Sequence, residues 1–384
     1  MKQFITSDFK LGILGGGQLG KMLTLAASNW DVNTYVLDPS NACSAAQTCT
    51  HFKRGDFNDY NTVYEFGQKM DMITIEIENV NIEALKKLKE EGKEVYPNPD
   101  TLAIIKDKGL QKEFYLDKSL PSSDFLLFKN EAEIKKAVKE GKIQLPFVQK
   151  LRTEGYDGKG VKVVQTNEDL AHLLKGASVV EQKIAIDKEL AVIVARSTQG
   201  EIKCFPIVEM EFSPEANLVE YLICPANVSK AIAEQADKLA VEVVAALDYE
   251  GILAVEMFLT KNGQLLINEV APRPHNSGHH TIESILTSQY EQQLRAIFGF
   301  PLGSTSLKIP SIMMNVLGEP GYQGQVKYVG LNKCMAIDGI KLHIYGKKTT
   351  KPFRKMGHIT ILDKDLNSAK EKAKYIKQHL KVIA

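Results

Sequence analysis

Glu256 and Glu269 are the residues of this 384-residue chain whose types and spacing most directly imply chemistry. They lie in the stretch Gly251 to Arg273, on two apolar, β-branched-rich runs either side of Asn262-Gly263. An Asn-Gly pair in that setting signals a β-hairpin, because both central residues of a type I′ turn need positive φ. With a two-residue loop, Glu256 falls directly opposite Glu269 on one face. Like charges facing across a ladder repel. At ~5 Å and an effective dielectric of about 20 the cost is roughly 3 kcal/mol, and burial raises it. A divalent cation held between the two carboxylates removes it, and oxygen-only ligation favours Mg²⁺ or Mn²⁺. Protonation of one Glu, or a neighbouring Arg, would also relieve the pair. A longer turn would shift the register and could part the two side chains.

Three further segments can meet anions. Gly15-Gly-Gly17-Gln-Leu-Gly20 fits G-x-G-x-x-G, and Asp38 stands where a dinucleotide site places its ribose-binding acid. The physics is a tight turn aiming a helix N-terminus at an anion. NAD, another phosphate ester, a carboxylate or a plain strand–helix junction all satisfy it. Between Lys150 and Val161, three glycines (Gly155, Gly158, Gly160) and Lys159 make a flap whose N–H groups can close over phosphates, or an ordinary glycine-rich turn. It lacks the Walker A pattern. Lys347, Lys348, Lys351, Arg354 and Lys355 form either an anion pocket or a solvated charged face. His275, His279 and His280 lack the H-E-x-x-H spacing of a zinc site.

The elements that must position these residues follow from periodicity. Strands at Leu11–Leu14, Val32–Leu37 and Met72–Ile77 alternate with helices at Gln18–Ser28, Tyr60–Lys69 and Ile82–Glu91, the rhythm of a doubly wound parallel sheet. Pro97-Asn-Pro-Asp100 marks a boundary. An α+β section follows, with helices at about 101–118 and 131–140. Strands are expected at 125–128, 145–151, 161–165, 178–184, 189–196, 202–208 and 218–223, then the helix Ser229–Leu247 and the hairpin. After Pro301-Leu-Gly, strands near 311–317, 340–345 and 357–362 and the helix Ser368–Leu380 suggest a small third domain. The expected domains are 1–98, 99–302 with a flap subdomain at about 121–184, and 303–384.

Composition narrows the class. A net charge of +1 and 25% charged residues give no footprint for nucleic acid or membrane. No apolar run reaches the ~18 residues of a membrane span. The N-terminus lacks a signal-peptide pattern. Five scattered cysteines without C-x-x-C fit a reducing cytoplasm rather than a disulfide framework.

Together the motifs resemble the ATP-grasp superfamily and, within it, the 5-(carboxyamino)imidazole ribonucleotide synthases, enzymes of purine biosynthesis. The resemblance runs nearly end to end. It rests on Gly15-Gly-Gly-Gln-Leu-Gly-Lys-Met22, Glu76-Ile-Glu78-Asn79-Val80, Gly155-Tyr-Asp-Gly-Lys-Gly160, Val180-Glu-Gln182 and Asn268-Glu-Val-Ala-Pro-Arg273-Pro-His-Asn-Ser-Gly278-His279. A related formate-dependent transformylase continues Pro-Arg-Pro-His with Asp-Thr-Gly. The resemblance implies ATP-driven carboxylation of aminoimidazole ribonucleotide with bicarbonate through carboxyphosphate, Mg²⁺ as cofactor, and a homodimer.

It implies roles residue by residue. Glu256 and Glu269 match the metal ligands. Lys108, Lys150 and Asn268 match groups near the ATP phosphates, and Gly155, Gly158, Lys159, Gly160 and Val161 the flap over them. Glu181, Gln182, Lys183 and Ile184 match the segment lining adenine, and Glu189 the carboxylate on the ribose. Tyr156 and Asp157 match positions at the aminoimidazole. Arg273, His275, Asn276 and Ser277 match the polar group near bicarbonate. Lys347, Arg354 and Lys355 match the holders of the substrate phosphate, and Gly17, Gln18, Leu19 and Glu78 the first domain's share of that site. The chain departs from relatives at Phe212, where many carry His, at Lys108, where some carry Arg, and at Glu154, where others often carry Gly. A different carboxylate–amine ligase on the same scaffold and a dinucleotide oxidoreductase are the alternatives.

Overall fold

The computed structural model describes residues 6–153, 160–212 and 218–384. The first hundred residues run β1 (Lys10–Leu14), α1 (Gln18–Ser28), β2 (Asn33–Asp38), β3 (His51–Arg54), α2 (Tyr60–Gly67), β4 (Met72–Ile75), α3 (Ile82–Glu90) and β5 (Glu94–Val95). All five strands are parallel, in the order β3-β2-β1-β4-β5. β1 and β4 are continuous apolar runs because helices cover both faces of the sheet. Asp59 and Asn81 start α2 and α3 by accepting from the third backbone N–H beyond them. The expected elements match to within about two residues. β3 and β5 were not expected: His51-Phe-Lys-Arg is a polar edge strand, and β5 is only two residues long, so neither shows a hydrophobic run.

Two helices, α4 (Pro99–Lys106) and α5 (Lys108–Asp117), lead onward. The Asp107 side chain ends the gap between them by capping α5. A four-stranded antiparallel sheet, β6-β9-β7-β8, then forms from β6 (Phe125–Phe128), β7 (Phe147–Leu151), β8 (Val161–Val164) and β9 (Ser178–Gln182), with α6 (Glu131–Lys139) packed on it. The large sheet takes β10 (Ile186–Arg196), β11 (Ile202–Cys204), β12 (Val208–Phe212), β13 (Val219–Cys224), β14 (Gly251–Thr260) and β15 (Leu265–Ala271). The expected strand 202–208 is two strands, β11 and β12. Helix α7 (Lys230–Ala246) buries Leu239, Val243 and Val244 against β10, β14 and β15. α8 (Thr281–Ser284) and α9 (Gln289–Ile297) return the chain toward β1, where Leu294 and Ile297 join the core of the first sheet.

The last section is β16 (Ser311–Leu317), β17 (Gly324–Gln325), β18 (Lys327–Val329), α10 (Leu331–Met335), β19 (Ile340–Ile344), β20 (Thr349–Thr350), β21 (Lys355–Leu362), α11 (Leu366–His379) and β22 (Lys381–Ile383). Its main strands continue the sheet begun earlier. β16 pairs with β13, giving a nine-stranded sheet of order β15-β14-β10-β12-β13-β16-β21-β19 with β11 on β10. α11 buries Ala369, Ala373 and Ile376 against β16 and β21.

Candidate active site

The carboxylate pair forms, by a route different from the one expected. The turn is a three-residue loop, Lys261-Asn262-Gly263. The Thr260 N–H donates to Gln264 O at 2.9 Å, and only Gly263 of the three has positive φ, at 84°. Such a loop sets Met257 opposite Ile267, Phe258 opposite Leu266 and Leu259 opposite Leu265. Carried on, this register would place Glu256 opposite Asn268. A β-bulge at Asn268 adds one residue to β15 and restores Glu256 opposite Glu269. Bulges re-aim side chains and recur beside active sites.

The pair lies at the base of an open cleft rather than in a sealed core. The Glu256 side chain is 17% exposed and that of Glu269 41%. Burial, then Glu269 and Glu189, hold the Glu256 carboxyl well above its usual range. Glu189 reaches it because Ala191 pairs with Glu256, so Glu189 sits two residues along on the same face. Burial pushes Glu189 itself up to about 6. For Glu269 burial acts upward too, but contact with the Lys108 ammonium outweighs it and holds the carboxyl low. Lysine, not the neighbouring Arg considered from sequence, neutralises this half of the pair.

Around the pair the side chains are interlocked. Lys150 Nζ donates to Asn268 Oδ1 at 2.9 Å and lies 3.0 Å from Glu181 Oε1. Lys112 Nζ donates to Ser123 Oγ at 2.7 Å, and Ser123 Oγ donates to Glu181 Oε2 at 2.8 Å. Lys108, Lys112, Lys150, Glu181, Asn268 and Glu269 line one small pocket. Lys112 was missed in the sequence. Its signal was its place one turn after Lys108 on α5, which puts both on one helix face. Burial lowers its ammonium to about 8. Gln182 and Lys183 are exposed at the end of β9, with Ile184 half-buried beside them. Gly160, with φ of 75°, accepts from the Leu151 N–H, and Val161 pairs with Lys150. Gly155, Tyr156, Asp157, Gly158 and Lys159 lie outside the described residues.

His275 faces the pair from the other side, its Nε2 3.6 Å from Glu256 Oε1. The Ser277 N–H donates to His275 Nδ1 at 3.3 Å, which leaves the ring hydrogen on Nε2, toward Glu256. Gln289 clamps this turn by accepting from His275 N at 2.9 Å and donating to His275 O at 2.8 Å. A side chain at Gly278 would strike the same Gln289 oxygen at 2.3 Å. Asn276 opens the short helical turn Asn276–Gly278, with Ser277 buried. Arg273 Nη2 pairs with Glu78 Oε1 at 2.6 Å, tying this motif to the first domain.

The glycine-rich loop carries its own anions. Gly16 N donates to Asp38 Oδ2 at 2.8 Å. Gly17 N and Gly20 N donate to Glu76 Oε1 and Oε2 at 2.8 and 3.1 Å. The N–H groups that a dinucleotide phosphate would need already donate to Asp38 and Glu76, so the NAD alternative has no phosphate cradle here. Burial pushes Glu76 up to about 7 against those two N–H bonds. By sequence Glu76 is only one letter of the Glu76-Ile-Glu78-Asn79-Val80 motif. Leu19 is buried in the core of the first domain rather than presented to the cleft. Gln18 faces the C-terminal section, where its Oε1 accepts from Lys347 Nζ at 3.1 Å. Lys347 also donates to Lys355 O at 2.7 Å, and Arg354 Nη1 to Thr349 O at 2.7 Å. Lys348 and Lys351 are exposed. The five-cation cluster therefore splits, with Lys347, Arg354 and Lys355 only half-exposed.

Among the described residues no group of three or more His, Cys, Asp or Glu is arranged around a metal position. Two carboxylates and the Asn268 carbonyl are oxygen donors, so a hard cation here would draw its remaining oxygens from a phosphate ligand.

Three family domains match the chain. The ribonucleotide synthetase preATP-grasp domain covers residues 9–106, the ATP-grasp domain 113–290, and the phosphoribosylaminoimidazole carboxylase C-terminal domain 311–372. Among curated relatives, the N5-carboxyaminoimidazole ribonucleotide synthase of Bacillus subtilis is 38% identical over 94% of this chain and 93% of that protein. The chloroplastic phosphoribosylaminoimidazole carboxylase of Vigna aconitifolia is 40% identical over 93% of this chain. The chain spans only 65% of the length of that plant protein. The crystal structure of N5-carboxyaminoimidazole ribonucleotide synthetase from Thermotoga maritima superposes with a TM-score of 0.90 at 43% identity, covering 98% of this chain and 99% of that one. The Aspergillus clavatus N5-carboxyaminoimidazole synthase in complex with ADP and 5-aminoimidazole ribonucleotide gives 0.87 at 30% identity, covering 97% and 99%.

Proposed function

We infer the roles of these residues from one premise: the chain belongs to the family of N5-carboxyaminoimidazole ribonucleotide synthases, ATP-grasp ligases of purine biosynthesis. The reaction we assign joins bicarbonate to the exocyclic amine of 5-aminoimidazole ribonucleotide, driven by ATP. A bicarbonate oxygen takes the γ-phosphoryl group, giving carboxyphosphate and ADP. The exocyclic nitrogen then bonds to the carboxyl carbon, the carbon–oxygen bond to phosphate breaks, and the nitrogen releases a proton.

The observation that supports this best is the bulge-set pair Glu256 and Glu269 beside Lys108, Lys150 and Asn268. Glu256 and Glu269 would hold Mg²⁺, or Mn²⁺ in its place, which when bound neutralises charge on the transferring phosphoryl group. Their oxygen-only donors and mutual repulsion fit such an ion. Lys108 and Lys150 would turn from Glu269 and Asn268 to the ATP phosphates, Gly160 and Val161 with Gly155, Gly158 and Lys159 would close over them, and Glu181–Ile184 and Glu189 would take adenine and ribose. His275, presenting Nε2–H, Arg273 and Asn276 would orient bicarbonate. Lys347, Arg354 and Lys355 would hold the ribonucleotide phosphate, with Gly17, Gln18, Glu78 and Ser277 beside them. Tyr156 and Asp157 would meet the aminoimidazole, Asp157 taking the amine's proton.

The division proposed is 1–98, 99–302 with the flap subdomain at about 121–184, and 303–384; the three matched family domains support it. A cytoplasmic homodimer completes the proposal. Among the described residues all five cysteines are free, which suits a reducing compartment, though the Vigna relative is chloroplastic by name.

The test is phosphate release with ATP, Mg²⁺ and bicarbonate, with and without aminoimidazole ribonucleotide. Turnover should require the ribonucleotide. Equal turnover with glycinamide ribonucleotide and formate would assign the chain to transformylase chemistry instead.

A further inference from the structure

Behind the cleft, three imidazoles form a column. His343 stacks on His358 with ring centroids 4.4 Å apart and planes 8° from parallel, and His358 stacks on His279 at 4.6 Å and 29°. His279 and His358 are fully buried. Each uses Nδ1 on a tyrosine: the Tyr290 hydroxyl lies 3.0 Å from His279 Nδ1 and the Tyr345 hydroxyl 3.0 Å from His358 Nδ1. The outer ring, His343, is partly exposed, with Nε2 2.7 Å from Glu283 Oε1. Buried polar rings are costly to hold without a purpose. Here Nε2 of both inner rings has no hydrogen-bond partner among the described residues.

The column joins the turn assigned to bicarbonate to the cluster assigned to the substrate phosphate. On one side Gln289 clamps the His275 backbone and reaches His279 Nδ1 at 3.4 Å. On the other, the Tyr345 ring lies 5.5 Å below Lys347 Nζ, and Tyr345 N donates to Met356 O beside Lys355. A continuous path therefore runs His275, Gln289, His279, His358, Tyr345, Lys347. Burial holds the two inner rings neutral. A cationic His279 would face His275, Lys355 and two further imidazoles, and burial together with these neighbours keeps it neutral.

We propose that His279, His358 and Tyr345 are positioning residues for the ribonucleotide, their stacked rings fixing the span between the His275–Asn276 turn and the Lys347–Lys355 cluster. The inference rests on those two segments holding bicarbonate and the substrate phosphate. The residues assigned to ATP, Lys108, Lys150, Glu181 and Glu189, make their contacts outside this column.

Steady-state kinetics of the full chain separate the cases. His358→Leu, which removes the ring, should raise the KM for aminoimidazole ribonucleotide at least tenfold while the KM for ATP stays within twofold. His358→Phe, which returns a flat ring, should recover most of that loss. If ribonucleotide and ATP constants worsen together, if Phe is no better than Leu, or if nothing changes, the proposal is overturned. Should His358→Leu fail to fold, His343→Leu at the partly exposed end is read by the same criteria against His343→Phe. Arg354→Ala in the same assay guards the premise. If it leaves the ribonucleotide KM unchanged, the substrate site has been misplaced; if it raises that KM while His358→Leu does not, only the column has been misread.

Discussion

Two places in this chain bring carboxylates against hydrogen-bond donors, and they use them in opposite ways. At the glycine-rich loop, Glu76 and Asp38 accept from the N–H groups of Gly16, Gly17 and Gly20. Those donors are backbone, fixed by the fold, and the bonds are satisfied for as long as the protein is folded. At the hairpin, Glu269 and Asn268 accept from Lys108 and Lys150. Those donors sit on long side chains that can turn to another anion without moving the backbone. A carboxylate held by backbone is architecture; one held by a partly exposed lysine side chain is available for exchange. Motif letters alone do not distinguish the two.

The contrast can be broken at either end. Glu269→Gln should lower ATP-dependent phosphate release by on the order of 10²–10³-fold, the usual loss when one preorganised electrostatic group is removed. Its unfolding free energy should stay near wild type, and a fall in both would make Glu269 structural. Glu76→Ala should do the reverse first. It strips a buried acceptor from two N–H groups and should cost about 2–4 kcal/mol of stability in urea unfolding. An unchanged midpoint would mean the loop does not depend on its internal anion.

A buried neutral imidazole gives a further sharpening. His280 is fully buried, and burial lowers it to about 4. Its unfolded value is near 6.5, so between the two values the unfolded chain binds the extra proton. The stability it contributes is present above about pH 6.5 and is lost as pH falls. Wild type should therefore lose about 2 kcal/mol relative to His280→Leu on going from pH 7.5 to 5. Parallel pH profiles of unfolding would refute this. The smallest effect is expected at the surface. Arg354→Ala should raise the ribonucleotide KM roughly tenfold, as for one charge-assisted hydrogen bond, and leave that for ATP unchanged. An effect confined to ATP would move Arg354 to the other side of the contrast.

Much of this was legible in sequence, but not always for the stated reason. The parallel sheet followed from the alternation of expected strands and helices over the first hundred residues. The facing glutamates were inferred from a two-residue turn, yet the turn has three residues and a bulge at Asn268 corrects the register. Two local irregularities cancel, and neither shows in a hydrophobic pattern. Glu76 looked like one letter of a motif because its partners are backbone groups 56 and 59 positions away. The histidine column draws its rings from segments far apart in the chain, so spacing could not suggest it. Leu19 is matched to the ribonucleotide site by its motif and packs as core by its helix face. The third domain expected from the strands after Pro301-Leu-Gly continues its neighbour's sheet, because β13 and β16 pair across the boundary.

That pairing bears on synthesis. β13 ends at Cys224, and its partner β16 begins only at Ser311. A nascent chain emerging from the ribosome must therefore hold the β13 margin of this sheet bare until Ser311–Leu317 arrives. Unpaired strand margins invite pairing with other chains. The vulnerable interval thus falls after the carboxylate hairpin has been translated and before the strand that covers β13 has been.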